Sequence, residues 1–329
     1  MKVPLVKLCI DEEEVEAVNE VLRSGWLLQG PRVRELERQL ELFFGVKHAV
    51  CVSSCTAALH LSVLSLGFSK VDEVVCPDFT FPASANAIIH GGASPVFADV
   101  SSYTYTLHHY GLKQAITPQT KAVMHVHLFG NPYLIDEVSE IAGNNGLALI
   151  YDAAGAFGAE YKGRKIGSST AFRVLNPLFT CFSFDTRKIL TMGEGGVILT
   201  NDDEKADWLR MSRSHGSNLE TWKIHQSPSL RSLQFPISGL NYRMTEIQAA
   251  IGLVQLEKLP WILARRRKVA QLYDKLLNEI DGILPPYVSL EAASTYQSYV
   301  VTLPNMNNTR FIEEMRKRGV QATYASRAL

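Results

Sequence analysis

AVMHVHLFGNPYLIDEVSEIAGNNGLALIYD, residues 122–152, decides the fold. It opens on one apolar run, Ala122 to His127, and closes on another, Leu147 to Tyr151, with a helical stretch from Ile135 to Gly146 between them. Neither run alternates apolar with polar residues, so each reads as a strand buried on both faces. Two such strands joined through a helix lie parallel in one sheet.

The same texture extends outward. Upstream, His48–Ser53, Glu73–Cys76 (ended by Pro77) and Pro95–Asp99 read as strands. Downstream, Phe182–Phe184 and Gly196–Thr200 continue the layer, and Thr56–Leu66 reads as a helix closed by Gly67. Near the start, Asp11 and Glu14 form a capping box, Val15, Val18 and Leu22 mark one helical face, and Gly25 stops it. A second helix follows Pro31, with Val33, Leu36, Leu40 and Phe43 at helical spacing. The pattern predicts an α/β protein with a mostly parallel sheet covered by helices on both faces.

After about residue 235 the texture changes. Met244 to about Leu256 and Trp261 to Leu277 read as two helices, Tyr296–Leu303 as a strand and Arg310–Lys317 as a helix. The polar stretch Ser227–Ser238, with its two prolines, places a boundary between a large domain, 1–237, and a smaller C-terminal α+β domain, 238–329.

Among the 329 residues, 33 basic residues balance 33 acidic ones. A neutral chain has no bulk field for a polyanion, so neither nucleic acid nor an anionic membrane is an expected partner. The Arg265–Lys268 run lies in helix-forming sequence and reads as a solvated face. The five cysteines show no C-x-x-C spacing, so neither a zinc site nor a disulfide framework is expected. His125 and His127 share one strand face, but two histidines without a third ligand make a poor metal site, and none is expected. No apolar stretch is long enough for a signal peptide or a membrane span, and the expected location is the cytoplasm.

Four features fall at strand ends, where ligands collect in open α/β sheets. Ser53-Ser54-Cys55-Thr56 joins a strand to a helix; it is either an ordinary N-cap or an anion cradle. Asp152 ends a buried strand, where it either caps a turn or pairs with a cation such as a protonated pyridine nitrogen. Lys188, in Ser183-Phe-Asp-Thr-Arg-Lys188 before Gly193-Glu-Gly-Gly196, is either a surface lysine before a hairpin or a Schiff-base nucleophile. Asn241-Tyr242-Arg243 follows the boundary; taken alone, it reads as a helix-start turn.

Together these features carry a resemblance. Ser-Ser-x-Thr-Ala-Ala-Leu-His-Leu at 53–61, Pro-Asp-Phe-Thr-Phe-Pro-Ala-Ser-Ala-Asn at 77–86, Val-His-Leu-Phe-Gly at 126–130, Asp-Ala-Ala at 152–154, Glu-Tyr-Lys-Gly-Arg at 160–164, the Lys188 segment through Gly196 and Asn-Tyr-Arg-Met at 241–244 occur in this order. The chain resembles the DegT/DnrJ/EryC1/StrS family of sugar aminotransferases, which are fold-type-I enzymes dependent on pyridoxal 5'-phosphate. The resemblance implies that Lys188 forms the Schiff base and moves the proton, and that Asp152 pairs with the pyridine nitrogen. It further implies that Phe81 stacks on the ring and that Cys55, Thr56 and Ser183 hold the phosphate. Asn241 would reach the phosphate of the neighbouring subunit, making a homodimer with shared active sites. The implied reaction is ping-pong transfer of an amino group from glutamate to a keto-sugar nucleotide or keto-cyclitol.

Several positions depart from the family. Cys55 stands where a glycine is usual, and Gly155 where a Gln or His touches the cofactor's phenolic oxygen. Phe172–Phe179 is an insertion, expected as a surface loop, and the chain ends at Leu329, before the family's usual last strand and helix. Two alternatives stand beside the aminotransferase: a sugar dehydratase of the same family, and a non-catalytic pyridoxal-phosphate-binding regulator, to which these departures give weight. Lys188 argues against the dehydratase, in which a histidine takes its place, and the Lys188–Asp152 pair argues against the regulator. A nicotinamide dehydrogenase is disfavoured, because no G-x-G-x-x-G follows a strand.

Overall fold

The computed structural model describes residues 2–168, 178–219 and 233–329. Its strands, in chain order, are β1 (His48–Val52), β2 (Glu73–Pro77), β3 (Phe79–Thr80), β4 (Ser94–Ala98), β5 (Thr120–Val126), β6 (Ala148–Asp152), β7 (Glu160–Tyr161), β8 (Arg164–Lys165), β9 (Phe179–Ser183), β10 (Gly196–Thr200), β11 (Ala292–Ala293) and β12 (Arg327–Ala328). Seven of them form the central sheet in the order β1-β10-β9-β6-β5-β2-β4. The β4-β2-β5-β6-β9 neighbours run parallel, whereas β10 runs antiparallel to both β9 and β1. The sheet is therefore mostly parallel, with one reversed strand that returns directly from the Lys188 loop.

The described helices are α1 (Glu12–Ser24), α2 (Pro31–Phe44), α3 (Cys55–Leu64), α4 (Ala83–His90), α5 (His109–Ala115), α6 (Ile135–Asn144), α7 (Asp203–Ser212), α8 (Glu246–Leu277) and α9 (Asn308–Lys317). The capping box of α1 is present: Glu13 N donates to Asp11, and Asp11 N donates to Glu14, while Gly25 adopts the left-handed conformation (φ 72°) that ends the helix.

Two apolar clusters cover the sheet faces. On one, Leu36 and Leu40 of α2 and Val138 of α6 meet Val123, Leu149 and Tyr151. On the other, Leu59 and Leu61 of α3 and Ile88 of α4 meet Val50, Met124 and Ile150. Side chains two apart on a strand share a face, so an uninterrupted apolar run serves both layers at once.

The polar contacts inside this core join distant parts of the chain. Arg213 and Glu37, both fully buried, pair with each other. Glu37 also accepts from Cys51 N (3.0 Å) while Arg213 donates to Cys51 O (2.7 Å), so one ion pair fastens α2 and α7's end to β1. Both charges are paired and hydrogen-bonded, the condition under which buried ions are tolerated. The start of α2 has a glycine N-cap without a side-chain cap, and Glu246 supplies one from α8. Its carboxylate accepts from Gly30 N (2.9 Å), Arg32 N (2.8 Å) and Val33 N (2.9 Å).

Two sequence expectations are corrected. The segments Met244–Leu256 and Trp261–Leu277 are not separate helices: α8 runs 32 residues straight through Pro260. An interior proline removes one hydrogen bond and costs about 3 kcal/mol. Leu259, Ile262 and Leu263, all buried beside it in the main cluster, offset that at about 1.5–3 kcal/mol each. Tyr296–Leu303 is not a strand. Tyr296 takes a left-handed φ of 48°, and apart from a bridge between Thr302 and Leu284 the segment has no ladder; the short β11 instead pairs with β7.

The insertion at 172–179 falls mostly outside the described residues, as does the first half of the 227–238 stretch. At the other end, β12 pairs antiparallel with β3, and Ser326 Oγ donates to Thr80 O (3.0 Å). Among the described residues no helix is long and apolar enough to cross a membrane.

Candidate active site

Asp152 is the last residue of β6 and is 5% exposed. Its Oδ2 accepts from Ser84 Oγ (2.7 Å) and its Oδ1 from Ala154 N (3.2 Å). Ser84 sits in the first turn of α4, where its Oγ also lies 3.1 Å from Thr80 Oγ1. Burial raises the Asp152 pKa; the Ser84 and Ala154 hydrogen bonds and the Lys188 charge pull it back only in part. A carboxylate so held is short of a cation, and a protonated ring nitrogen is one.

Lys188 lies on the excursion between β9 and β10. Phe184 N donates to Gly195 O (2.9 Å) and Met192 N to Phe184 O (2.9 Å), closing the base of this loop. Within it, Lys188 N donates to Asp185 O (2.9 Å) and Arg187 N to Asp185 Oδ1 (2.9 Å), a tight turn that fixes the lysine backbone. The Lys188 charge opposes, without cancelling, the burial that raises both the Asp152 and the Cys55 pKa, so its ammonium lies within electrostatic reach of the β6 end and the start of α3.

The third wall is the turn from β1 into α3. Ser54 is the N-cap and its Oγ accepts from Ala57 N (3.1 Å). The backbone N–H groups of Cys55 and Thr56 have no partner among the described residues, and the Thr56 side chain is exposed. Free first-turn amides with hydroxyls beside them suit a phosphate. Cys55 is the first residue of the helix, with right-handed backbone, so its Cβ brings no strain where a glycine is usual. Burial, then the Asp152 charge, push its thiol well up, so it stays neutral beside an anion. Ser183, at the end of β9, is buried, with its Oγ 3.4 Å from Asp185 N.

A second glycine makes the cradle possible. A Cβ at Gly196 would stand 2.5 Å from Ser54 C and O and 2.6 Å from Cys55 N. Gly196→Ala is therefore expected to push the cradle off β10. Overpacking costs about 1–3 kcal/mol, and if it falls on the site, pyridoxal phosphate should bind roughly 5- to 150-fold more weakly in a fluorescence titration. Unchanged affinity would separate this turn from the phosphate.

The remaining residues are more scattered. Phe81 directly follows β3 and is 64% exposed, one residue from the Thr80 hydroxyl that touches Ser84. Asn241 is exposed, and its side chain makes no hydrogen bond among the described residues. Its neighbour Tyr242 reaches the cradle in the same chain: Ser53 N donates to Tyr242 O (2.8 Å), and Tyr242 Oη lies 3.0 Å from His60 Nδ1. His125 and His127 are buried against Tyr151, their ring centroids 4.8 Å apart. Desolvation drives His125 down to about 3 and His127 well below the usual range, so both are neutral.

Sequence reasoning missed Ser84 as a functional residue, although it lies inside the Pro-Ala-Ser-Ala-Asn motif. The one available signal was a hydroxyl in the first turn of a helix that follows a strand end.

These residues fit pyridoxal phosphate: unpaired amides for the phosphate, a buried carboxylate for the ring nitrogen and a lysine for the carbonyl carbon. When bound, the cofactor supplies an electron sink for the carbon that loses or gains the amine. The lysine and its fixed backbone would hold and move the proton at that carbon.

Comparison with known proteins agrees. The model of the DegT/DnrJ/EryC1/StrS aminotransferase family matches residues 8–326. The chain is 38% identical over 318 residues to the GDP-perosamine synthase of Caulobacter vibrioides, covering 95% of this chain and 81% of that one. It is similar to the solved structure of S. venezuelae DesV in complex with a ketimine intermediate (TM-score 0.87, 31% identity, 97% of this chain and 82% of that one). It is also similar to the PMP-form of Spr1654 from Streptococcus pneumoniae (TM-score 0.91, 29% identity, 99% and 86%). The chain belongs to the DegT/DnrJ/EryC1/StrS aminotransferase family and is a pyridoxal-phosphate-dependent aminotransferase.

Proposed function

We propose that the chain moves the amino group of glutamate to a keto-sugar nucleotide or keto-cyclitol. Lys188 carries the cofactor, Asp152 faces its ring nitrogen, Phe81 covers its face, and Cys55, Thr56 and Ser183 hold its phosphate. Asn241 serves the neighbour's site in a homodimer, and residues 238–329 form the smaller domain. The exchange balances: the α-carbon of glutamate is oxidised to a ketone and the sugar carbonyl carbon is reduced to an amine. One water is taken up as the keto acid leaves, and another is released when the sugar carbonyl gives up its oxygen.

The observation that supports this reading is the buried Asp152, held by Ser84 and Ala154 N and within electrostatic reach of both Lys188 and Cys55, the first residue of α3. The sugar acceptor is supported by the similarity to GDP-perosamine synthase. The test incubates reconstituted protein with glutamate and a panel of keto-sugar nucleotides and keto-cyclitols while following the cofactor's visible spectrum and the products by mass. Borohydride should leave a cofactor mass increment on the peptide containing Lys188. An unlabelled Lys188 peptide would reject the site; a labelled peptide with no amine formed from any acceptor would reject the sugar assignment.

A further inference from the structure

Gly155 lies three residues past Asp152, and its φ is outside the left-handed region, so its backbone would accept a side chain. Its surroundings leave little space for one. A Cβ there would meet Gln297 Oε1 at 3.2 Å, Gly130 N at 3.4 Å and Gln297 Cβ at 3.5 Å. The first atom of any side chain at 155 would meet one arriving from the far end of the sequence.

Gln297 is fixed there by several bonds. Its N donates to Phe129 O (3.1 Å), its O accepts from Arg266 Nη1 (3.3 Å), and two residues earlier Thr295 Oγ1 donates to Gly155 O (2.8 Å). Its Nε2 donates to Arg187 O (3.0 Å), the carbonyl of the peptide that leads into Lys188. One side chain thus joins the loop after Asp152 to the loop bearing Lys188. The amide nitrogen carries two N–H groups; the Arg187 carbonyl uses one, and the second has no partner among the described residues. A side chain already immobilised loses little further entropy when it takes an acceptor.

We propose that Gln297 is a positioning residue that gives this second N–H to the phenolic oxygen of pyridoxal phosphate, doing from the C-terminal part of the chain what Gly155 cannot. The inference rests on the cofactor placement between Asp152 and Lys188 proposed above. The phenolic oxygen neighbours the carbon that Lys188 engages, so it is shared between the proton on the linked lysine nitrogen and the amide. When that nitrogen loses its proton, the oxygen is left with its full negative charge, and a fixed donor stabilises this form. Gln297 therefore holds the pKa of the linked Lys188 nitrogen down.

The test is a spectrophotometric pH titration of the reconstituted protein, in which the visible band reports the proton on that nitrogen. Gln297→Leu keeps the bulk and removes the donor; the midpoint should rise by about one unit, a tenfold change in proton affinity. The double variant G155Q/Q297A returns an amide to the same space from the other loop and should bring the midpoint back towards the parent value. An unmoved midpoint in Q297L overturns the proposal. So does a rise that the double variant fails to reverse, or loss of the visible band in both variants, since a role confined to propping the lysine loop would behave that way. A parent protein with no visible band at all would instead reject the cofactor placement.

Discussion

Asp152→Asn should fold, retain pyridoxal phosphate and turn over two to four orders of magnitude more slowly. Asn matches the shape of Asp and keeps an oxygen for Ala154 N, while the Ser84 hydroxyl can rotate to accept from the new amide. What is lost is the negative charge. A neutral amide cannot hold the proton on the ring nitrogen, and the ring then becomes a poorer electron sink. Loss of a buried charge partner is worth about 3–5 kcal/mol, and each 1.36 kcal/mol is tenfold in rate.

The same substitution has an opposite effect on the cofactor-free protein. Burial raises the Asp152 pKa, so the folded chain holds this proton more tightly than the unfolded chain does. Its contribution is most favourable at low pH and is lost as pH climbs from the unfolded carboxylate range to the raised value. Asn has no such loss, so at neutral pH the cofactor-free variant should melt at the same temperature as the parent or higher. Scanning calorimetry with and without cofactor, alongside single-turnover rates, separates the two effects. Near-normal turnover would remove Asp152 from the chemistry, and a collapsed melting temperature would make it a structural residue.

How much of this was legible in the sequence follows from the range of each interaction. The strands of the central sheet were readable because burial on both faces leaves an uninterrupted apolar run in the chain itself. The capping box of α1 was readable because Asp11 and Glu14 lie within one turn. Asp152 and Lys188 stood out because each follows a strand and precedes glycines, which marks the end of a sheet where side chains can converge. Ser84, Glu246 and Gln297 were not readable as partners of Asp152, of the start of α2 and of Gly155. Each acts on a segment to which no local pattern connects it. Pro260 shows the converse. The local rule that a proline ends a helix is sound, and tertiary burial of Leu259, Ile262 and Leu263 overrides it. At Tyr296–Leu303 the apolar, β-branched composition favours a strand, yet the left-handed turn at Tyr296 serves instead to aim Gln297 between two loops.

If Lys188 holds the cofactor as proposed, Lys188→Ala should abolish turnover, since it would remove both the covalent attachment and the group that moves the proton; the proton-transfer part alone is worth about 10²–10⁴-fold. Asn241→Asp should also be nearly inactive if Asn241 lies against a phosphate, because it sets a carboxylate against that anion. Mixing the two variants tests whether sites are shared. In the single chain Asn241 is exposed and its side chain has no bond among the described residues, while the adjoining Tyr242 carbonyl holds Ser53 at the cradle. This exposed amide therefore stands next to the residue that holds the turn from β1 into α3, where the second subunit of the proposed homodimer would take it up. With shared sites, a mixed dimer carries both lesions in one site and neither in the other. Random exchange makes half the dimers mixed, so activity should recover to about a quarter of the parent's from two nearly silent preparations. If each site is built within one chain, every site keeps one lesion and mixing restores nothing. Cofactor should also tighten association, since a ligand bound across an interface favours the assembled state by linkage. Sedimentation of the parent with and without pyridoxal phosphate measures that directly, and a fully active monomer would overturn the shared site.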